Sequence, residues 1–393
     1  MAAAPKKILV VAGDADGNLG DRAILEAMAQ ELRSQYPGIE ISAVGGVLPT
    51  DAAKVSRVAR GPRGLPRLLL TAFRADAILC GGGGLFQDDD SLVKMPYWAA
   101  RLFLLRLCCR RIIGYSLGIG PLNALSSRLS ARVAFKTMYK VSARDPIAQL
   151  TAQRLTRKAV SVIPDPATVL QPSPPGDSRQ WLEAKGVVFD GRPLVGVAIR
   201  RWFPPKPRLI PNKFRPKRRS NTLNLNAGSI RICELLAEVL DRLVIERNAQ
   251  ILFLPTYNVR HEGDSHLCQE VQHRMESDPG TIACTDDARL YMSICSHLAL
   301  MIGGRMHPAL LASAVGTPVV GLAYNPKFQG AFSMRGLGDQ VIDVQDFVAN
   351  ERSDDLFALA CGAMNQKLSS RTSVAESRET IRRFHRSFLD TKP

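Results

Sequence analysis

The chain of 393 residues is 46% apolar, enough to bury a sizeable core, and at about 100–200 residues per domain it should form two domains. A disordered or fibrous chain is excluded, and no run reaches the ~18–20 consecutive apolar residues that span a bilayer. The net charge of +16, from 52 basic against 36 acidic residues, asks for an anionic partner.

Apolar β-type runs alternate with helix-like segments nearly from end to end, the pattern of a parallel sheet covered by helices. The run at 8–12 follows Lys6-Lys7 and is too short for a signal-peptide core, which places the protein in the cytosol. It leads into Gly13-Asp14-Ala15-Asp16-Gly17-Asn18-Leu19-Gly20-Asp21, where Asp21 opens a helix. The G-x-G-x-x-G spacing of a nicotinamide site is missing. Strands follow at 40–44 and 76–80, the latter running into Gly81-Gly82-Gly83-Gly84-Leu85-Phe86-Gln87-Asp88. Four glycines cost several kcal/mol of chain entropy at up to about 1 kcal/mol each, so a nest of backbone N–H groups around a ligand explains them better than packing. Further strands are predicted at 111–116, 140–143 and 160–163, the first continuing into Ser116-Leu117-Gly118-Ile119-Gly120-Pro121.

The stretch 171–178, Gln-Pro-Ser-Pro-Pro-Gly-Asp-Ser, is rich in turn formers and separates residues 1–172 from 179–393. The second half repeats the pattern with strands at 194–199, 251–255, 281–284, 298–302, 318–322 and 340–344, closing on an apolar helical stripe of Ile381, Phe384 and Phe388. The fold class is therefore α/β, two Rossmann-like domains facing across a cleft, with ligands beyond the carboxyl ends of the strands.

From Arg200 to Arg219 there are nine basic residues, no acidic one and several prolines, which makes a long irregular loop. A solvated loop, an anionic membrane surface and a polyanionic ligand all fit it. Nucleic acid does not, because few aromatics interleave with the charges. The eight cysteines show no metal-ligand spacing, so they are read as reduced, mostly buried thiols, with no metal and no cofactor.

The run at 298–302 breaks at Gly303-Gly304 and enters Arg305-Met306-His307 before a helix. Glycines there let the backbone approach a ligand, and first-turn N–H groups point outward without intrahelical partners. Pro308 fits a first turn, which places His307 at the N-cap. A βα turn with surface Arg and His is the alternative. Lys327, just past the next strand, either reaches the same anion or is a surface lysine. Arg144 approaches from the first domain or pairs with Asp145, against which stands the opposite facing of neighbouring strand residues. Asp165, between two prolines, orients a basic residue, acts as a base, or is a turn carboxylate. His261, beside Arg260, is the other histidine near a strand end.

Taken in order, Gly17-Asn18-Leu19-Gly20-Asp21, Gly81–Asp88, Ser116–Pro121, Ser142-Ala143-Arg144-Asp145, Pro164-Asp165-Pro166-Ala167 and Gly303-Gly304-Arg305-Met306-His307 resemble the polysaccharide pyruvyl transferases over about residues 8–335. The resemblance implies the two-domain GT-B architecture and transfer of the pyruvyl group of phosphoenolpyruvate onto a sugar of a cell-wall or secreted glycan as a ketal. It places His307 and Arg305 on the family's Arg-x-His motif, with Arg144 and Asp165 as further catalytic candidates. Gly303, Gly304, Lys327, Gly82, Gly83, Gln87, Asp88, Asn18 and Asp21 are then candidates for substrate binding. The expected partners are phosphoenolpyruvate and a lipid-linked glycan, with the enzyme cytoplasmic and peripheral on the inner membrane face. The competing readings are a nucleotide-sugar glycosyltransferase of the same architecture and an anion-binding envelope-assembly protein without catalysis.

Overall fold

The computed structural model describes residues 7–45, 55–89, 91–202, 225–257, 263–365 and 370–390. The chain resolves into two compact units. The first contains residues up to Leu170 together with the segment from Ala375 onward, and the second contains most of what lies between.

The first unit holds seven strands: β1 (Lys7–Val11), β2 (Glu40–Val44), β3 (Ser56–Val58), β4 (Ala77–Phe86), β5 (Ile112–Ile119), β6 (Lys140–Ala143) and β7 (Val160–Val162). They pair in the order β3-β2-β1-β4-β5-β6-β7, every pair parallel. The second unit holds β8 (Leu194–Ala198), β9 (Gln250–Phe253), β10 (Thr281–Ile282), β11 (Leu300–Gly303), β12 (Val319–Ala323) and β13 (Val341–Asp343). Its order is β10-β9-β8-β11-β12-β13, again all parallel. Strands such as β8 and β12 are buried along their whole length, as the continuous apolar runs of a doubly covered parallel sheet require. In each sheet the order reverses beside the first strand, between β1 and β4 and between β8 and β11, which makes these the crevices where such sheets bind ligands.

All twelve expected strands are present. The thirteenth, β3, is a three-residue edge, Ser-Arg-Val, with too little apolar pattern to stand out. The expected glycine loops after residues 80 and 116 are instead strand: β4 runs through all four glycines to Phe86, and β5 runs through Gly118 to Ile119. The terminal helix Ser370–Leu389 corrects the expected second domain of 179–393, because it packs on the first unit. Ile381, Phe384 and Phe388 are buried, Arg378 and Arg382 both bind the buried Glu31 carboxylate at 2.9 Å, and Lys140 Nζ donates to Ser387 O at 2.5 Å. Helical spacing revealed the apolar stripe but not which sheet would receive it. Six of the eight cysteines are buried, and all eight are free thiols.

Candidate functional site

In the first unit the switch point is built by the segment after β1 and the glycines of β4. Asn18 caps the helix Leu19–Gln35, its Oδ1 accepting the Gly20 N–H at 2.9 Å, and Asp21 in the first turn accepts the Asp14 N–H at 2.8 Å. The loop is thus folded on its own side chains. Gly82 has φ +69°, and a Cβ there would lie 2.1 Å from Ile24 Cγ2. A Cβ on Gly83 would fall 2.7 Å from Asp21 Oδ1, and one on Gly81 would strike the Tyr115 carbonyl at 1.8 Å. Close packing against β5 and the Leu19–Gln35 helix therefore suffices to require these glycines, which corrects the expectation that packing alone was a poor reason for them.

One step further along the sheet, a Cβ on Gly118 would lie 2.9 Å from Gly83 O and 3.1 Å from Arg144 Nη2. Arg144 is buried, with Nη1 3.3 Å from Asp165 Oδ2 and Nε 3.6 Å from Asp145 Oδ2. The alternation argument against an Arg144–Asp145 pair fails because β6 ends at Ala143, so both residues lie in the turn. Asp145 caps the helix Pro146–Gln153 through the Ala148 N–H at 2.8 Å. Asp165 caps the turn Pro166–Val169 by accepting the Ala167 N–H at 3.0 Å and also holds Arg144, so of its expected roles the structure displays both the turn carboxylate and the orienting of a basic residue. Asn18, Asp21, Gly82, Gly83, Arg144 and Asp165 thus form one contiguous cluster. Asp88 is fully buried and accepts the N–H groups of Asn123 and Ala124 at 3.0 and 2.8 Å, which gives it a structural role at the start of the helix Leu125–Thr137. Gln87 is half-buried just beyond β4.

In the second unit the switch point collects basic side chains at the carboxyl ends of β8, β11 and β12. Gly304 donates its N–H to Ala198 O at 2.7 Å, and a Cβ there would come within 3.3 Å of Ile199 Cα and 3.5 Å of the Arg200 nitrogen. A Cβ on Gly303 would meet Ala309 Cβ at 2.8 Å, so this glycine seats the helix Met306–Ala314 against its own strand. The expected N-cap moves by two residues. Arg305 is the cap, with φ −118° and ψ 140°, and His307 is the second residue of the helix, half-buried, with Pro308 third and still inside the tolerant first turn.

Arg305 does not present an empty fork. Its Nε and Nη2 bind Asp264 Oδ2 and Oδ1, both at 2.6 Å, and its guanidinium carbon lies 5.2 Å from the Tyr257 ring centroid. Asp264, fully buried at the start of the helix Asp264–Gln272, also accepts the Tyr257 N–H at 3.0 Å. Two-pronged charge-assisted pairing of this kind fixes the corner's geometry. Lys327, expected as either a surface lysine or an anion ligand, is 6% exposed at the second position of the helix Pro326–Ser333, capped by Asn325. That burial overturns the surface reading. Arg200 at the end of β8 stacks its guanidinium 4.0 Å from the Tyr324 ring centroid, immediately before that helix.

Asp264, Tyr257, Arg200 and Tyr324 were not singled out from the sequence as site residues. Arg305 and Asp264 are 41 positions apart, and no local pattern links them. Arg260, His261 and the basic segment from residue 203 to 219 lie outside the described residues. Among the described residues no cluster of His, Cys, Asp or Glu is fit to hold a metal ion, and no helix is long and apolar enough to cross a membrane.

Comparison with solved structures shows the fold. UDP-GlcNAc 2-epimerase from Methanocaldococcus jannaschii superposes with a TM-score of 0.62 at 10% identity, covering 98% of this chain and 100% of that chain. A glycosyltransferase from Rickettsia africae gives 0.57 at 12% identity, covering 98% and 99%. Anabaena HepE, solved with UDP and glucose, gives 0.56 at 13%, covering 99% and 100%. The two parallel-sheet α/β units are those of GT-B-type glycosyltransferases and epimerases. No curated protein matches the chain. The model of the family described as polysaccharide pyruvyl transferase matches residues 18–326, which takes in both switch points and every motif from Asn18 to His307. The chain belongs to the polysaccharide pyruvyl transferase family.

Proposed function

We propose that the protein transfers the pyruvyl group of phosphoenolpyruvate to a sugar of an envelope or secreted glycan, carried on a lipid at the cytoplasmic leaflet, and forms a ketal. The observation that carries this reading is the second unit's switch point, where Arg200, His307 and the buried Lys327 follow the carboxyl ends of the adjacent strands β8, β11 and β12, His307 in the first turn of the Met306–Ala314 helix. Phosphoenolpyruvate carries a phosphate and a carboxylate on three carbons. Its pocket needs several cations and oriented N–H groups close together, and a helix start flanked by basic side chains supplies both.

In the proposed reaction a sugar hydroxyl adds to the second carbon of the enol phosphate and loses its proton, while the methylene carbon gains one and becomes a methyl group. The phosphate ester bond to that carbon then breaks, and a second hydroxyl attacks the same carbon and loses its proton. The products are the ketal and inorganic phosphate. His307 is suited to give a proton to the departing phosphate or to bind it, and Lys327 and Arg200 to neutralise its charge. Arg305 acts through Asp264 as a positioning group.

Incubation with phosphoenolpyruvate and candidate glycans, followed by phosphate release, tests the reading. His307→Ala is expected to lower turnover by roughly 10²–10⁴-fold, the usual contribution of a general acid, with an unchanged melting temperature. Release of nucleotide from a UDP-sugar, with phosphoenolpyruvate untouched, transfers the same corner to the glycosyltransferase reading.

A further inference from the structure

Three helices of the first unit, Leu65–Arg74, Lys94–Cys108 and Leu125–Thr137, lie side by side and send their inner residues into one core. Leu68, Ala72, Leu102, Leu105, Ala131 and Phe135 are the buried side. The other side is not the polar face that a surface helix normally shows. Of the seventeen large apolar side chains that are exposed among the described residues, ten belong to these three helices. Phe73 is 73% and Leu107 72% exposed, and Leu70, Phe103, Leu125 and Leu129 join them.

The charges on the same helices have one sign. Arg67 and Arg74 are on the first, Lys94, Arg101 and Arg106 on the second, and Arg128, Arg132 and Lys136 on the third, and no helix of the three contains an Asp or Glu. None of the eight is buried. Arg101 also donates to the Tyr97 hydroxyl at 3.0 Å and lies 5.5 Å from the Trp98 ring centroid, a cationic and aromatic pairing suited to a headgroup layer.

We infer that this three-helix face docks on the surface of a bilayer containing anionic lipid. Large exposed apolar patches mark an interaction surface, and the charge decides which kind. Protein interfaces are depleted of charge at their cores and need a partner of matching detail. An apolar face whose three helices carry only cations suits an acyl boundary under negative headgroups, where Arg and Lys stems lie along apolar surface and their charged ends reach the phosphates. This surface differs from the basic segment after Arg200, and its occupant does not depend on which group the enzyme transfers.

Flotation of the full chain with phosphatidylcholine vesicles, with and without phosphatidylglycerol, tests the inference. Binding is expected only with phosphatidylglycerol and should fade as salt rises, because the screening length falls from about 10 Å at 0.1 M to about 3 Å at 1 M. Joint replacement Arg67→Gln, Arg74→Gln, Arg128→Gln and Arg132→Gln should weaken it by roughly 10²–10³-fold. Phe73→Ser with Leu107→Ser should weaken it by about tenfold or more. Both variants change exposed residues, so melting temperatures and phosphate release with a short soluble acceptor should match the parent chain. A third variant with Lys213, Arg215, Lys217, Arg218 and Arg219 neutralised should keep most of the binding. Loss of binding in the third variant alone overturns the inference, as does an absence of vesicle binding in the parent chain. A concentration-dependent dimer that Phe73→Ser with Leu107→Ser abolishes, with vesicles ignored, overturns it too and gives the face to a second copy.

Discussion

Arg305 shows how a candidate found from its motif can have a partner that the motif does not reveal. It follows Gly303-Gly304 on the Arg-x-His motif, where a basic residue can clamp an oxyanion, and its Nε and Nη2 are both bonded to Asp264 at 2.6 Å. A clamp and a positioning group predict different energetics. Replacing Asp264 by Asn leaves the guanidinium facing a neutral partner in a site where the carboxylate is fully buried, and breaking such a pair typically costs about 3–5 kcal/mol. Arg305→Lys keeps the charge but cannot form both bonds. If the two residues act only as a pair, the double variant Asp264→Asn with Arg305→Lys should lose little more urea stability and phosphoenolpyruvate affinity than either single change. Strict additivity in affinity would mean that Arg305 also touches the donor, as its motif first suggested.

At the scale of elements, the strands were legible and their ends were not. Runs such as Ile8-Leu9-Val10-Val11 are buried on both faces and read as parallel strands without any partner being known. Glycine was the misleading signal, since Gly81 to Gly84 look like a loop but continue β4, where the Tyr115 carbonyl leaves no room for a side chain at Gly81 and Ile24 none at Gly82. The terminal helix contains another feature that pattern could not show. His385 is fully buried, its Nδ1–H donating to Gln35 Oε1 at 2.5 Å while Nε2 accepts from the Tyr115 hydroxyl at 2.7 Å. Burial first, and then the nearby Arg382 and Arg386, push its pKa down to about 3. In the unfolded chain a histidine titrates near 6.5, so between these values the unfolded state binds the extra proton. The contribution is thus complete above about pH 6.5 and is lost as pH falls toward 3, by about 1.4 kcal/mol per pH unit at most. His385→Gln should flatten that part of the stability curve relative to the parent chain in urea titrations across the range. An unchanged slope would mean that His385 is protonated in the fold.

At the scale of the molecule, the alternation of strands and helices announced two parallel sheets, and the motif order announced the family. What stayed hidden was the assignment of segments distant in sequence, for which the sequence offers only stripes and charges. The clearest case is the first unit, which is completed by a helix that follows the whole second unit in the chain. Burying Ile381, Phe384 and Phe388 contributes roughly 1.5–3 kcal/mol each by area, and the Glu31 carboxylate gains two arginines from the same helix. That sum is comparable to the whole margin of about 5–15 kcal/mol on which a domain rests. A chain ended after residue 369 should therefore lose cooperative unfolding of the first unit. Amide exchange should show it as lost protection in β1, β4 and β5, while β8, β11 and β12, which lie in the second unit, keep theirs. If both sheets lose protection together, the two units fold as one cooperative block; if neither does, the helix is an accessory to a first unit stable without it.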